Sequence, residues 1–150
     1  MIQPRDFLAQ AERLLAGGLE VDRRSAVSRA YYAAYHLAKT LITERCGVVL
    51  SKTADSHQTV QRCLINSQHA QLRAAGSRLE SLRAEPNCAD YNLTDPRFAI
   101  PEAATFDVEM AKGIFAAIAA AELNTQSFQE VVRIYASGVL KLQLKSLPAS

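Results

Sequence analysis

Apolar residues recur three and four positions apart along almost the whole chain, which is the spacing of one face of an α-helix. The first such segment covers residues 7–15, and the pair Gly17–Gly18 predicts its end. A longer helix is predicted next, with Asp22 as its N-cap, an end near Cys46 and Gly47 as its stop. This second helix is amphipathic. Its apolar stripe comprises Val27, Ala30, Ala34, Leu37 and Leu41, and its polar face comprises Ser25, Arg29, Tyr32, His36 and Lys39.

The same periodicity predicts four further helices, which cover residues 55–67, 68–83, 103–123 and about 125–147. Thr125 or Ser127 is the predicted cap of the last one. The sum is an all-α protein, an up-and-down helical bundle of about five core helices plus an extra C-terminal helix. We assign residues 1–124 to the bundle and residues 125–150 to a helical extension, packed on the same domain or on a partner.

Two segments between the helices are predicted to be loops. Residues 51–56 connect the second helix to the third, and residues 86–100 are rich in turn formers and acids. Pro101 suits the first turn of the fifth helix, where its missing N–H is not needed. The run from Ile114 to Ala121 in that helix is apolar on all sides, which predicts burial on several sides.

Composition places the chain among folded proteins of one domain, and its net charge of +2 indicates no partner by itself. The distribution of the charges is more informative. Residues 22–45 hold five basic side chains, and residues 85–109 hold six acidic ones against Arg97 alone. The two segments either face each other or face different partners.

Several classes of function are excluded by missing patterns. Cys46, Cys63 and Cys88 show no spacing of a disulfide framework or a zinc site, so reduced thiols are expected. The chain has no phosphate-binding glycine loop, no HExxH and no GxSxG, so we expect no metal and no cofactor. It also shows no secretion signal and no apolar run long enough for a membrane span. We therefore expect a soluble, cytoplasmic protein without membrane contact.

The candidate chemistry lies on the second helix, where Arg29 and His36 are seven positions apart. Seven helical residues turn by about 700°, so the two side chains share one face with Tyr32 between them. A histidine can move the proton of an RNA 2′-hydroxyl, and a guanidinium can hold the charge that develops on the phosphate. We assign Arg29 and His36 to catalysis. One histidine supplies a single acid–base group, and a symmetric dimer would supply the second.

The remaining side chains on or next to this face would contact the substrate. Tyr32 and Tyr35 can stack on a base or donate a hydrogen bond to a phosphate, and Ser25 and Lys39 extend the polar surface along the helix. We assign these four residues to the binding of RNA or a nucleotide. Burial of the tyrosines in the core or in an interface is the alternative.

Residues 28–38 closely resemble the RAYYAxFH helix of HEPN-domain proteins (higher eukaryotes and prokaryotes nucleotide-binding), with Arg-Ala-Tyr-Tyr-Ala-Ala-Tyr-His at positions 29–36. Ala89-Asp90-Tyr91 resembles the ADY element of the small prokaryotic group, and His57 matches a histidine often found there. The resemblance covers roughly residues 5–122. It implies accessory or structural roles for His57, Asp90 and Tyr91. Asp90 would act as a latch or would pair with Arg29.

The resemblance also implies a function. HEPN proteins are helical bundles that dimerise, and many are ribonuclease toxins paired with a nucleotidyltransferase-type antitoxin. Active members cleave RNA without metal through Arg-x4–6-His, and Arg29 and His36 match that motif. Ala30 stands where active members usually have a polar residue. Two alternatives therefore stay open: a non-catalytic module that binds nucleotide or RNA, and a structural partner of a nucleotidyltransferase-like protein.

Overall fold

The computed structural model describes residues 1–52 and 55–149, and within these ranges the regular structure is helical. The predicted all-α class is confirmed. The described residues form the α-helices α1 (Pro4–Ala16), α2 (Glu20–Thr40), α3 (Ser56–Ile65), α4 (Ala70–Arg83), α5 (Glu85–Tyr91), α6 (Pro101–Glu122) and α7 (Gln129–Gly138). Two short 3-10 segments, Pro96–Ala99 and Thr125–Ser127, and one π-helical turn, Leu41–Arg45, complete the helical structure of this part of the chain.

The chain folds as two compact units, each with its own buried side chains. The first unit contains residues 1–36 and 78–115, and the second contains residues 37–77 and 116–150. In the first unit the apolar core includes Val27, Ala89, Phe98 and Ala104. The described part of residues 125–150 belongs to the second unit, together with α3. The predicted boundary at residue 124 stays a prediction.

The helix boundaries follow local chemistry, with one correction at the start of α2. Pro4 occupies the first turn of α1, and the Gln3 N–H donates to Asp6 Oδ2 at 2.7 Å. Gly18, with a φ of 79°, lies in the connection that follows α1, as the glycine pair predicts. The prediction that Asp22 is the N-cap of α2 is wrong. The helix begins at Glu20. The carboxylates of Glu20 and Asp22 lie in its first turn, where their negative charge interacts favourably with the helix dipole.

The second helix changes its hydrogen bonding before it ends. The regular α-helix stops at Thr40, and the chain continues as the π-helical turn, in which the Cys46 N–H donates to Leu41 O at 3.2 Å. Gly47 follows with a φ of 66°, so the predicted glycine stop is confirmed. The prediction of one continuous α-helix to about Cys46 is therefore wrong, because the last turn has π geometry.

The prediction of a loop over residues 86–100 is wrong where the chain forms regular helical structure. Residues 85–91 form α5, and Pro96–Ala99 forms a 3-10 segment. Pro86 lies in the first turn of α5, where a proline costs no hydrogen bond, so it starts a helix here rather than ending one. Of the loop predicted over residues 51–56, residues 53 and 54 lie outside the described residues.

The last predicted helix is much shorter than its apolar pattern indicates. α7 ends at Gly138, and the chain then turns through Lys141, whose φ is 57°, before Leu144 pairs with Val48 in an isolated bridge. The helices predicted over 55–67 and 68–83 are separated at Gln68, which also has a φ of 57°. These two left-handed residues are not glycine or asparagine, so the residue type carries no turn signal at either position.

The apolar run in α6 is not buried on all sides. Ile114, Ala117, Ile118 and Ala121 are buried, whereas Ala116, Ala119 and Ala120 are exposed. The expectation of burial on several sides is therefore wrong. Alanine is a strong helix former with little apolar surface, so an all-alanine outer face is compatible with exposure to water.

Two adjacent arginines of α2 are buried and fasten the segment that follows α5. Arg23 donates to the carbonyl oxygens of Phe98 at 2.7 Å and Ala99 at 2.9 Å. Arg24 donates to Ala89 O and Asn92 O, each at 2.9 Å, and its guanidinium lies 4.6 Å from the ring centroid of Phe98. These two arginines of the basic segment thus contact the acidic segment, but their guanidinium groups bind main-chain oxygens more than carboxylates.

Candidate functional site

The side chains of Arg29 and His36 both contact one aromatic residue of α1, Phe7. The guanidinium carbon of Arg29 lies 5.7 Å from the ring centroid of Phe7, and the same ring stacks on His36 with 5.8 Å between centroids and 27° between planes. Arg29 is exposed, whereas His36 and Phe7 are half-buried. Phe7 therefore joins the cation and the imidazole into one surface, which consists of residues 7, 29 and 36 and is called here the Arg29–Phe7–His36 surface.

Phe7 is the component that the sequence did not assign to the site. It belongs to the apolar stripe of α1, and its pattern alone predicts a core residue. Its contact with Arg29 is a cation–π arrangement, in which the guanidinium is attracted by the ring face. No local signal distinguishes an aromatic residue that packs beside Arg29 and His36 from one that fills a core, because the contact depends on how two helices pack.

The tyrosines of α2 have different environments. The ring centroid of His36 lies 5.3 Å from that of Tyr35 and 6.3 Å from that of Tyr32. Tyr32 is 38% exposed, whereas Tyr35 is only 4% exposed. Tyr32 therefore borders the surface, and Tyr35 supports the imidazole from the core, without a face for a ligand. Tyr31 is also buried, and this burial raises the pKa of its phenol well above the ordinary value.

The other predicted site residues are divided between the two units. Ser25 is half-buried in the first unit, while Lys39 and His57 belong to the second, where His57 lies in the first turn of α3. Asp90 and Tyr91 end α5 in the first unit, and both are exposed. The substrate-binding and accessory roles assigned to these residues stay predictions.

The predicted Asp90–Arg29 pair is not formed. The salt bridges between described residues involve other partners, and Arg97 joins Glu85 and Asp95 at 2.8 and 2.9 Å. Hydrogen bonds from Arg97 lower the pKa of the Asp95 carboxyl. The main chain around Asp90 is held instead by Arg24, which donates to the neighbouring Ala89 O. Arg29 is therefore left with its charge directed to the surface.

The cysteines and the acidic residues give the described part of the chain no recognisable metal centre. Within residues 1–52 and 55–149, no group of three or more His, Cys, Asp or Glu side chains could hold a metal ion. Burial raises the pKa of the Cys46 and Cys63 thiols to about 12, so both stay protonated at neutral pH. In the same ranges, every helix is too short or too polar to cross a membrane.

The Arg29–Phe7–His36 surface has groups that phosphate chemistry can use: a fixed positive charge, an imidazole and exposed aromatic surface at Tyr32. It can hold a phosphate at Arg29 while the imidazole moves a proton. Comparisons of the chain with protein-family models, with curated proteins and with solved structures find no match in any of the three.

Proposed function

We propose that this protein is a metal-independent endoribonuclease of the HEPN type, acting as the toxin component of a toxin–antitoxin or defence module. The observation that carries the proposal is the contact of Arg29 and His36 with the same aromatic ring on one side of α2. The resemblance of residues 28–38 to the HEPN helix supports the same activity. The proposed partners are a second copy of the chain and a nucleotidyltransferase-type antitoxin.

The proposed reaction uses the 2′-hydroxyl of the RNA as the nucleophile. His36 accepts its proton, and the oxygen attacks the adjacent phosphorus and displaces the 5′-oxygen, which leaves a 2′,3′-cyclic phosphate and a 5′-hydroxyl end. Arg29 donates to the phosphoryl oxygens as their charge increases. The His36 of a second copy protonates the leaving oxygen, so the active form is a homodimer.

A second candidate is a HEPN module that binds RNA or a nucleotide without cutting it, or that serves as a structural partner of a nucleotidyltransferase-like protein. It is favoured by the packing of His36, whose ring is half-buried and lies against Phe7 and Tyr35. A ring held in this way can serve stability alone. Ala30 is fully buried beside Arg29, and it supplies no polar group to the site.

The first experiment is the cleavage of labelled RNA in excess EDTA by the wild-type protein and two variants. His36→Phe keeps an aromatic ring against Phe7 but cannot transfer a proton, and we expect it to lower the cleavage rate by about 10²–10⁴. Arg29→Ala removes the charge, and we expect a loss of about 10²–10³. Arg78→Ala is the matched control, because Arg78 is also an exposed helical arginine of the first unit.

The outcomes separate the two candidates. Cleavage by the wild type and by Arg78→Ala, lost in both site variants, supports the nuclease. Full activity of His36→Phe excludes the imidazole as the acid–base group. If the wild type does not cleave RNA but binds it in a salt-dependent manner that Arg29→Ala weakens, the binding module is the correct function.

A further inference from the structure

The second unit contains a cavity with an unusual concentration of positive charge. Its volume is about 550 Å³, and Lys39, Lys52 and Lys145 line it together with a single carboxylate, that of Glu44. The hydroxyl residues Thr43, Ser51 and Ser56 and the apolar residues Val48, Val49 and Leu50 form the rest of its described wall. The three lysines come from three separate segments of the chain, so the fold rather than a charged sequence run brings them together.

The position of Lys145 is fixed by main-chain bonds. Its N–H donates to Gly47 O at 2.7 Å, and the Val49 N–H donates to Gln143 O at 2.9 Å. Arg133 Nη1 donates to both Cys46 O and Lys145 O at 2.9 Å, which fastens the C-terminal segment to the connection after α2. We call this set of bonds between residues 46–49 and 143–145, with Arg133, the C-terminal clamp. Because of it, Lys145 is held at the cavity rather than at the end of a free tail.

Gly47 is a requirement of the C-terminal clamp. A Cβ at this position would lie 2.8 Å from Arg133 Nη1 and 3.0 Å from Lys145 O, and the φ of 66° disfavours any other residue. The close approach of the two segments therefore depends on this glycine. The cavity wall that carries Lys145 is therefore an ordered part of the second unit, held by these hydrogen bonds.

The charges at the cavity are not neutralised by the described protein residues. None of the three lysines forms a salt bridge with a described residue, and Glu44 offsets only one of their charges. Ammonium groups around one cavity repel each other, and an anion with several charges relieves this repulsion. A single phosphodiester carries one negative charge, whereas two or three linked phosphates carry several.

We propose that this cavity is a binding site for a polyphosphate group, which is a run of two or three linked phosphates, either free or carried on a nucleotide. The ammonium groups of Lys39, Lys52 and Lys145 bind the phosphate oxygens. The apolar wall at Val48–Leu50 gives a nucleoside a surface on which to lie. The site includes Lys145, which lies outside the segment that resembles HEPN proteins.

The test is calorimetric titration of the full-length protein with tripolyphosphate and, separately, with ATP without magnesium. Lys39→Gln and Lys145→Gln each remove one charge from the cavity, and we expect each to weaken binding about tenfold. Lys141→Gln is the matched control, since Lys141 is an exposed lysine of the same C-terminal segment that does not line the cavity. We expect it to bind within about twofold of the wild type. Circular dichroism melts establish that each variant is folded.

Each outcome decides the proposal. Binding of either ligand that both cavity variants weaken and Lys141→Gln does not weaken supports it, and a stronger affinity for ATP identifies the ligand as a nucleotide. Equal affinity for both ligands identifies the polyphosphate group alone as the ligand. Absence of binding at millimolar ligand, or equal weakening by all three variants, overturns it. Should a cavity variant fail to fold, the amide shifts of residues 39–52 in wild-type NMR titrations decide instead, and shifts located elsewhere overturn the proposal.

Lys145→Gln and His36→Phe test the cavity and the proposed nuclease independently, whereas Lys39→Gln does not, because Lys39 is also assigned to the binding of RNA. Arg29 and His36 belong to the first unit, and the three lysines belong to the second. His36→Phe is expected to keep the affinity for tripolyphosphate, and a loss of RNA cleavage in that variant says nothing about the cavity. The failure of one proposal therefore leaves the other to its own experiment.

Discussion

Side chains with the same charge have different roles in this protein, and burial decides which role each one has. Arg23 and Arg24 are 8% and 7% exposed and donate hydrogen bonds to main-chain oxygens, whereas Arg29 is exposed. The sequence shows all three as equal members of one basic segment. Of the three, only Arg29 exposes its charge to solvent.

Asp107 is the described acidic residue with the clearest cost of burial. It is buried on α6. Burial, with a smaller contribution from the charge of Glu85, raises its pKa to about 6, although Arg97 opposes this shift. Because the folded-state pKa is above the unfolded value of 3.8, the ionised carboxylate destabilises the fold above pH 6, and this penalty disappears as the pH falls to about 4.

We expect Asp107→Asn to stabilise the protein at pH 7.5 by up to about 3 kcal/mol and to have little effect at pH 4. The measurement is the free energy of unfolding in urea at both pH values. Glu102→Gln, at an exposed position of the same helix, is the control. An equal effect of Asp107→Asn at both pH values would show that charge burial is not the cause.

At the scale of the elements, Arg24 holds the end of α5 and the segment after it, in addition to the burial of Phe98 in the core of the first unit. Arg24 donates to the carbonyl oxygens of Ala89, Asn92 and Leu93, and its guanidinium contacts Phe98. The segment carries exposed apolar side chains at Tyr91 and Leu93. The position of its backbone therefore depends on hydrogen bonds from the Arg24 side chain of α2.

We expect Arg24→Leu to destabilise the protein by about 3–5 kcal/mol, because it leaves several main-chain oxygens without a donor. Arg24→Lys restores the charge but not the planar set of donors, so only part of the loss is recovered. Thermal unfolding measures both. Arg13→Leu, at an exposed position of α1, should change stability little. If Arg24→Leu behaves like Arg13→Leu, the guanidinium bonds do not determine the position of this segment.

The sequence predicted those elements whose ends have local chemistry. The glycines at 17–18 and 47 and Pro101 mark boundaries that the structure confirms, because each has a backbone preference that acts within a few residues. It placed the break between residues 67 and 68 but missed the turn at Lys141, a residue type that has no such preference. Within the candidate site, α2 periodicity placed Arg29 and His36 on one face. Phe7 was missed because its contact depends on another helix.

At the scale of the whole molecule, the C-terminal residues are part of the second unit. Phe128, Val132 and Ala136 are fully buried, α7 packs against α3, and the ring of Phe128 meets His69 edge to face at 5.8 Å. The Arg133 guanidinium adds the C-terminal clamp. Residues 125–150 can be interpreted as an extension that binds a partner or as part of the domain. The two interpretations predict different behaviour for a shortened chain.

We expect a chain that ends at Asn124 to lose the structure of the second unit, because burial of Phe128 and Val132 alone contributes roughly 1.5–3 kcal/mol each. The measurement is amide hydrogen exchange over α3, where protection should fall strongly, while α1 keeps more of its protection. A chain that ends at Leu147 is the control, since it keeps the C-terminal clamp and removes only the last three residues. If the chain ending at Asn124 keeps α3 protected but changes its oligomeric state, residues 125–150 serve assembly rather than the stability of the unit.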